Sequence, residues 1–585
     1  MALLQRISPV RRSYNQLVAD ETREDYALRF TATGARRFSA AKVGNTAFGA
    51  TSFMALEAIG GAITLQYGTV NAVAAILVVG IIIALTAGPI AYTAAKAGVD
   101  IDLLTRAAGF GYIGSTVTSL IYASFTFIFF AIEASILTNM LNQTCRLPLW
   151  LGYIICALSI VPLVTNGISF ISRFQAWTQP FWIILNFVPI LWVLAYPGTL
   201  HHWRHFEGSY GGHPGFSLLP FGLCASVIAS LIAQVGEQVD YLRFLKSPAP
   251  GGRMQWWTAM LLTGPGWIVP GMVKMLAGSM LAVLAVGAGL SVTDAAQPPV
   301  MYALAYGLVL PHGPAILAAA LLIVIAQTKI NVTNAYAGSI AWSNFFSRLT
   351  HRHPGRVVWL IFNVVIGLLL MELGIYRSIE HILAFYSVLA CGWIGSICAD
   401  LVLVKGLRLG PRLIEFKRAH LYDINPVGIG AMAAAVFVGS LATAGLLGAL
   451  AHAFAPFVAL LTAFAMVPAI ALGTRGRFYL ARKPRRNWQK LSVLTCGVCG
   501  NGFEPQDVAF CPAYASPICS LCCTLDARCH DACKPNARYT SQLRVTVQKL
   551  LPKPLARLAS PLLLRFLGVF GTVGLTIGLI LVVMY

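Results

Sequence analysis

The chain has 585 residues, 57% of them hydrophobic and only 11% charged. A soluble protein of that size cannot hide so much apolar surface, so the composition excludes a water-soluble globule and points to a lipid-embedded chain. The net charge of +21 follows membrane topology and lipid headgroups rather than nucleic acid, because the basic residues collect in alternate links between apolar segments.

In chain order, residues 1–43 form a polar arm with both signs of charge, and no cleavable signal peptide is expected. Hydropathy then predicts twelve helices near 44–66, 70–95, 110–140, 150–168, 176–197, 216–237, 256–288, 314–345, 357–375, 381–404, 427–450 and 455–472, which make a permease-like domain over 44–475. Lys/Arg-rich links follow the sixth helix (Arg243, Lys246, Arg253), the eighth (Arg348, Arg352, Arg356), the tenth and the twelfth. The positive-inside rule therefore puts the arm and the end of the twelfth helix in the cytoplasm. A basic linker (476–495), a cysteine-rich stretch (496–533) and a basic amphipathic linker (534–565) come next. The apolar run 566–585 is long enough for a thirteenth span. It reads either as a lone C-terminal anchor or as the front of something longer.

The first and sixth helices carry interior Gly and polar residues. Interrupted helices at matching positions mark inverted-repeat transporters, and tight helix contacts are the other use of such glycines. Ionisable groups in hydrocarbon cost ~2.5–3.5 kcal/mol on insertion scales, so each needs a reason. Glu57 lies in the first helix, Glu133 in the third, Lys274 in the seventh, Lys329 in the eighth and Asp400 near the end of the tenth. Glu57 and Glu133 suit a cation or a polar substrate. Lys329 either takes the place of a bound sodium ion, carries a proton, or forms a structural pair with a Glu; Lys274 has the same alternatives, with the structural role preferred. Gln234, Asn331, Thr333 and Asn334 offer amide and hydroxyl groups. Phe129 and Phe130 lie one turn before Glu133 and offer aromatic faces.

On these residues the chain resembles the nucleobase:cation symporter-1 family, the purine, cytosine, allantoin and hydantoin permeases. The stretch Phe129-Phe130-Ala131-Ile132-Glu133 has the shape of that family's third-helix motif, with Glu in place of Gln. Asp240-Tyr241-Leu242-Arg243-Phe244 matches the signature after the sixth helix. Asn331 to Tyr336, Ala399-Asp400 and Asp423 to Gly428 match later motifs. The resemblance implies an all-α polytopic fold, a five-plus-five inverted repeat (LeuT-like) with two extra helices, in a bacterial inner membrane. It implies proton- or cation-coupled secondary transport of a nucleobase-like solute by alternating access. Glu57, Phe129, Glu133, Gln234, Asn331 and Asn334 would contact substrate. Lys329 and Thr333 would serve ion coupling (H+ or Na+), with Lys329 where a hydroxyl-bearing sodium-site residue is expected. The family's sixth-helix aromatic is not evident.

The cysteine-rich stretch reads C-x2-C-x11-C-x7-C-x2-C-C-x5-C-H-x2-C. Two knuckles, Cys496/Cys499 and Cys519/Cys522, supply one tetrahedral thiolate site. Cys511, Cys523, Cys529 and Cys533 (or His530) supply a second. Zinc suits such ligands and contributes folding energy to a segment too small for its own core; iron–sulfur clusters and redox-active thiols are the alternatives. Cys145, Cys156, Cys224, Cys391 and Cys398 are scattered and read as packing residues. The text CPAYASPICSLCCTLDARCHDACKP also resembles the linker of bacterial transporter-coupled sensor histidine kinases. Nothing after Cys533 resembles a kinase, so the resemblance implies a truncated sensor or a separate histidine kinase partner. No set of catalytic partners is present, so an enzyme is not expected.

Overall fold

The computed structural model describes residues 24–210, 215–248, 252–375, 379–526, 528–550 and 566. Residues 567–585 of the expected thirteenth span lie outside the described residues.

In hydrocarbon every backbone N–H and C=O must be paired within its own segment, so apolar runs become helices. Among the described residues, nine helices are long and apolar enough to cross a bilayer, or ten if a bent pair counts as one span. That pair is α1a (Ala40–Ala50) and α1b (Ala55–Tyr67), bent by 46°. The others are α2 (Thr69–Ala97), α3 (Ser115–Cys145), α5 (Gly167–Ala195), α6 (Leu218–Leu242), α7 (Pro265–Gly287), α8 (His312–Thr350), α10 (Ile382–Val404), α11 (Pro426–Thr443) and α12 (Ala455–Thr474). The two remaining expected segments form shorter helices of 17 residues each, α4 (Leu149–Thr165) and α9 (Arg356–Glu372).

Helix α8 packs along α3, α5 and α9, while α1b packs on α7 and α6 on α2. Helices α10, α11 and α12 pack on one another, and α10 also packs on α6. The α1b–α7 contact is backbone to backbone. A Cβ on Gly60 would sit 1.9 Å from the Met275 carbonyl oxygen, and one on Gly278 would sit 2.2 Å from that of Glu57. No residue larger than glycine fits either position at this spacing.

The expectation of matching interruptions in α1 and α6 needs correction. Helix α1 is broken between Thr51 and Met54, but α6 runs on. Within its length α6 only tightens into a 3-10 turn, Ser230–Gln234. Such a turn keeps every residue in the helical region and frees fewer backbone groups than a break.

Three cations read as topological charges are also buried. Arg243, Arg348 and Arg356 are at most 1% exposed. Arg243 lies 3.5 Å from Asp100, and Arg348 pairs with Asp102, which also meets Arg106 at 2.9 Å. The arm joins this layer: Arg243 donates to the Asp25 carbonyl at 2.9 Å, and Asp25 accepts from the Ile168 amide at 2.7 Å. Cys145, expected as a packing residue, is exposed, because α3 has left the bundle by that point.

The cysteine-rich segment folds as two small hairpins and a short helix. Strand β1 (Leu494–Thr495) pairs with β2 (Gly502–Phe503), and β3 (Val508–Cys511) with β4 (Ser516–Cys519), both antiparallel. Helix α13 (Ser520–Leu525) follows. Val498, Ile518, Leu521 and Leu525 form its core, and Leu28 of the arm packs into it. The unit docks on the membrane domain through Arg418, which donates to the carbonyls of Cys523 at 2.9 Å and Asp526 at 2.8 Å. Lys534 meets Asp423 at 2.6 Å.

Candidate functional site: a broken helix filled by side chains, and a four-cysteine cluster

A helix that stops leaves carbonyls unpaired at its C-terminal end, and one that starts leaves amides unpaired at its N-terminal end. Inside a membrane these groups need partners, and the break in α1 receives both kinds from its own chain. The Lys274 amine, on α7, donates to the carbonyls of Thr51 (3.2 Å), Ser52 (2.8 Å) and Phe53 (2.7 Å). The Glu133 carboxylate, on α3, accepts from the amides of Met54 and Ala55, each at 3.1 Å. Charge and dipole agree at both ends, with the cation on the carbonyls and the anion on the amides.

Lys274 also lies 3.4 Å from Glu57 on α1b. The other oxygen of Glu57 accepts from the Tyr302 hydroxyl at 3.0 Å, which in turn accepts from the Asn186 amide at 2.6 Å. Trp182 and Phe53 present ring faces to the Lys274 amine at 5.5 and 6.0 Å. Phe129 meets Phe53 edge to face, 6.1 Å between centroids. The Ser52 hydroxyl ties the break to α8 by donating to the Ala326 carbonyl at 3.0 Å.

Of the expected site residues, the structure therefore brings Glu57, Phe129 and Glu133 together around the break. The Lys329 amine turns to α5 and donates to the Gln175 carbonyl (3.1 Å), the Thr178 hydroxyl (3.0 Å) and the Gln179 side chain (3.0 Å). The Thr333 hydroxyl donates to the Ile330 carbonyl within its own helix. Gln234 donates to Glu237 at 2.8 Å.

A second polar patch lies where the end of α6 packs on α8. Among the described residues, the Asn334 side-chain amide, the Asn331 carbonyl oxygen, one oxygen of Glu237 and the Gln238 amide are buried with no hydrogen-bond partner. An unmet buried polar group costs about 1–3 kcal/mol, so these groups on two packed helices are available to a polar guest or to ordered water. Sequence reasoning missed Glu237, Gln238 and Phe53. Glu237 and Gln238 lie in the polar end of α6, and only the burial of that end separates them from interfacial charges.

The first cysteine set converges. The sulfurs of Cys496, Cys499, Cys519 and Cys522 lie within 4.8 Å of one another. A tetrahedral Zn–S distance of about 2.3 Å needs sulfurs about 3.8 Å apart, so a small inward shift seats the ion. The amides of Cys519 and Cys522 point at the sulfurs of Cys496 and Cys519, each at 3.4 Å, a contact that steadies thiolates. Hydrogen bonds from Cys499, Cys519 and Cys522 lower the pKa of the Cys496 thiol, and the same shared bonds raise those of Cys519 and Cys522. The second set is looser. Cys511 and Cys529 share a hydrogen bond, Cys523 and Cys533 interact with Cys529 only electrostatically, and the Cys533 sulfur lies 4.0 Å from the Ala419 carbonyl.

Bundle and broken helix together define a multi-pass membrane protein with the fold of secondary transporters. No family model and no curated protein matches the sequence, but solved structures match the fold. Mhp1, a nucleobase-cation-symport-1 family transporter, closed with bromovinylhydantoin bound, aligns at TM-score 0.56 and 17% identity over 77% of this chain and 99% of its own. Its inward-facing conformation aligns at 0.54 and 17% over 83% and 99%. A Na+-coupled sialic acid symporter, outward-open with substrate bound, aligns at 0.54 and 12% over 79% and 94%.

Proposed function

We propose that the chain is a secondary transporter of a small polar solute, a nucleobase-like heterocycle or a relative of one, in which a fixed lysine replaces the coupling metal cation. The observation that carries this reading is the Lys274 amine on three carbonyls of the broken helix. An ammonium there has the charge and the oxygen ligands that a sodium ion would take. Lys274, rather than Lys329, is the residue we place at that position.

Glu57 and Glu133 face the single charge of Lys274, so the cluster carries one surplus negative charge when both are ionised. A proton balances it without a metal, which favours proton coupling. The solute would bridge the break and the α6–α8 patch, with Asn331 and Asn334 reading its amide edges and Phe129 packing on its ring. The hydantoin bound to Mhp1 is a flat, amide-rich heterocycle of the kind this chemistry suits.

We place the arm and the cysteine unit on the cytoplasmic face of a bacterial inner membrane, with structural zinc on the first cysteine set. The docking of that unit on the membrane domain favours a second reading, a transporter-derived sensor that reports occupancy to a histidine kinase.

Uptake of labelled hydantoins, purines and pyrimidines into proteoliposomes tests the proposal. Uptake driven by a proton gradient and indifferent to replacing sodium by choline supports it. Strict dependence on sodium would defeat the fixed-cation reading. Saturable binding without flux would favour the sensor.

A further inference from the structure

Five segments far apart in sequence line a cleft of about 710 Å3: the arm near Arg36, the end of α2, the loop after α10, the linker after α12, and strand β3 of the cysteine unit with the turn before it. That volume falls in the range of small-molecule sites, ~300–1,000 Å3. Its lining includes Arg36, Lys96, Lys417, Arg482, Lys483 and Arg485 against one carboxylate, Glu415. Glu415 is already taken, 3.1 Å from Lys417 and 2.9 Å from His420.

The guanidinium groups are held mainly by neutral groups, with the Glu504 carboxylate, which accepts from Thr33, as one further anion close enough to act on Arg36. Arg36 donates to the carbonyls of Thr31 (3.0 Å), Lys96 (3.2 Å) and Ala97 (2.9 Å), and Arg482 to that of Phe510 (2.6 Å). Arg485 stacks 3.7 Å over the Phe510 ring and 5.5 Å from that of Trp488. Carbonyls and rings fix Arg36, Arg482 and Arg485 in place, and Glu504 and Glu415 offset only part of the cleft's positive charge. The result is a preset positive cleft with aromatic walls.

We infer that this cleft binds a phosphate ester. Several guanidinium and ammonium groups in fixed positions match the several oxygens of a phosphate better than the two of a carboxylate. Lys96 ends α2 and Arg36 precedes α1a, so the cleft borders the membrane, where the ester is either the headgroup of an anionic lipid or a free solute. A guest there touches arm, loop, linker and cysteine unit at once and holds the unit against the bundle. The inference does not depend on what the bundle transports.

The test uses the full zinc-loaded chain in nanodiscs. One arm titrates inorganic pyrophosphate and ADP into discs of phosphatidylcholine alone. The other compares discs with and without phosphatidic acid, reading the melting temperature and the lipid retained by mass spectrometry. Saturable binding is expected in at least one arm, and the arm that shows it tells free ester from headgroup. Lys483→Ala with Arg485→Ala, both exposed, should weaken it by about tenfold or more. Arg352→Ala with Arg408→Ala removes the same charge elsewhere and should leave it unchanged. Should the cleft pair lower the melting temperature by itself, Lys483→Gln alone replaces it. Absence of saturable binding in both arms, or equal weakening by both pairs, overturns the inference.

Discussion

The Lys274 amine lies 2.7 Å from the Phe53 carbonyl oxygen, at the point where the first membrane helix stops. The seventh helix thus completes the first, and the charge that does so belongs to the chain.

Removing that charge should be costly. Lys274→Met leaves three carbonyls and Glu57 buried without their cation, and breaking one side of such a pair typically costs about 3–5 kcal/mol. Thermal unfolding of the purified protein should show a marked fall for Lys274→Met and a smaller one for the Lys274→Met, Glu57→Gln double variant. Simple addition of the two losses would show that the pair is not coupled.

Glu133 should act through charge as well as shape. Glu133→Gln keeps an acceptor for Met54 or Ala55 but removes the anion at the start of α1b. The expected outcome is near-normal melting, a loss of about 1 kcal/mol or less, with uptake abolished. Normal uptake by this variant would reduce Glu133 to a helix cap.

The α1b–α7 contact offers a matched pair of substitutions on one helix. Gly278→Ala drives a methyl group into the Glu57 backbone, whereas a Cβ at Gly271 meets only ordinary contact, 3.5 Å from the Trp267 ring. Gly278→Ala should destabilise by about 1–3 kcal/mol or more, and Gly271→Ala should be near neutral. Similar melting of the two would mean that the helices separate easily.

Metal content should follow the first cysteine set. Cys519→Ser should remove one equivalent of zinc per chain and loosen the cysteine unit, while Cys511→Ser should leave that equivalent in place. Elemental analysis with limited proteolysis of the 494–526 region separates the outcomes.

Glu415 predicts a pH dependence at the docking loop. Burial works to raise its pKa, but the Lys417 ammonium and the His420 ring outweigh it and hold the carboxyl down at about 2. A depressed carboxylate stabilises the fold fully above its unfolded value, roughly pH 4.5, and loses that contribution as pH falls toward 2. The stability advantage of wild type over Glu415→Gln should therefore be constant at neutral pH and shrink below about pH 4.5. A constant difference down to pH 3 would contradict the assignment.

The spans were legible because a bilayer leaves the backbone no alternative to helix, and the cysteine knuckles because metal geometry dictates their spacing. Glu57 and Glu133 stood out as charges in hydrocarbon. Their partners did not: Phe53 and Lys274 are separated by 221 positions, and no local pattern says which lysine faces which break. Arg348 and Arg356 were hidden for another reason. A cation at a helix end looks the same in sequence whether it meets lipid phosphate or, like Arg348, a buried Asp102. The break in α1 and the continuity of α6 were also alike in sequence, since glycine serves both close packing and interruption.

Helix α8 has 39 residues, about 58 Å at 1.5 Å per residue, roughly twice the hydrocarbon thickness. It carries Lys329, Asn331 and Asn334 near its middle, and at its end the His351 ring meets the Thr524 carbonyl of the cysteine unit at 3.0 Å. One continuous helix thus joins the polar residues near its middle to the four-cysteine unit at its end. Were the helix to tilt as a rigid rod about its middle, the displacement at Thr524 would exceed that at Asn334.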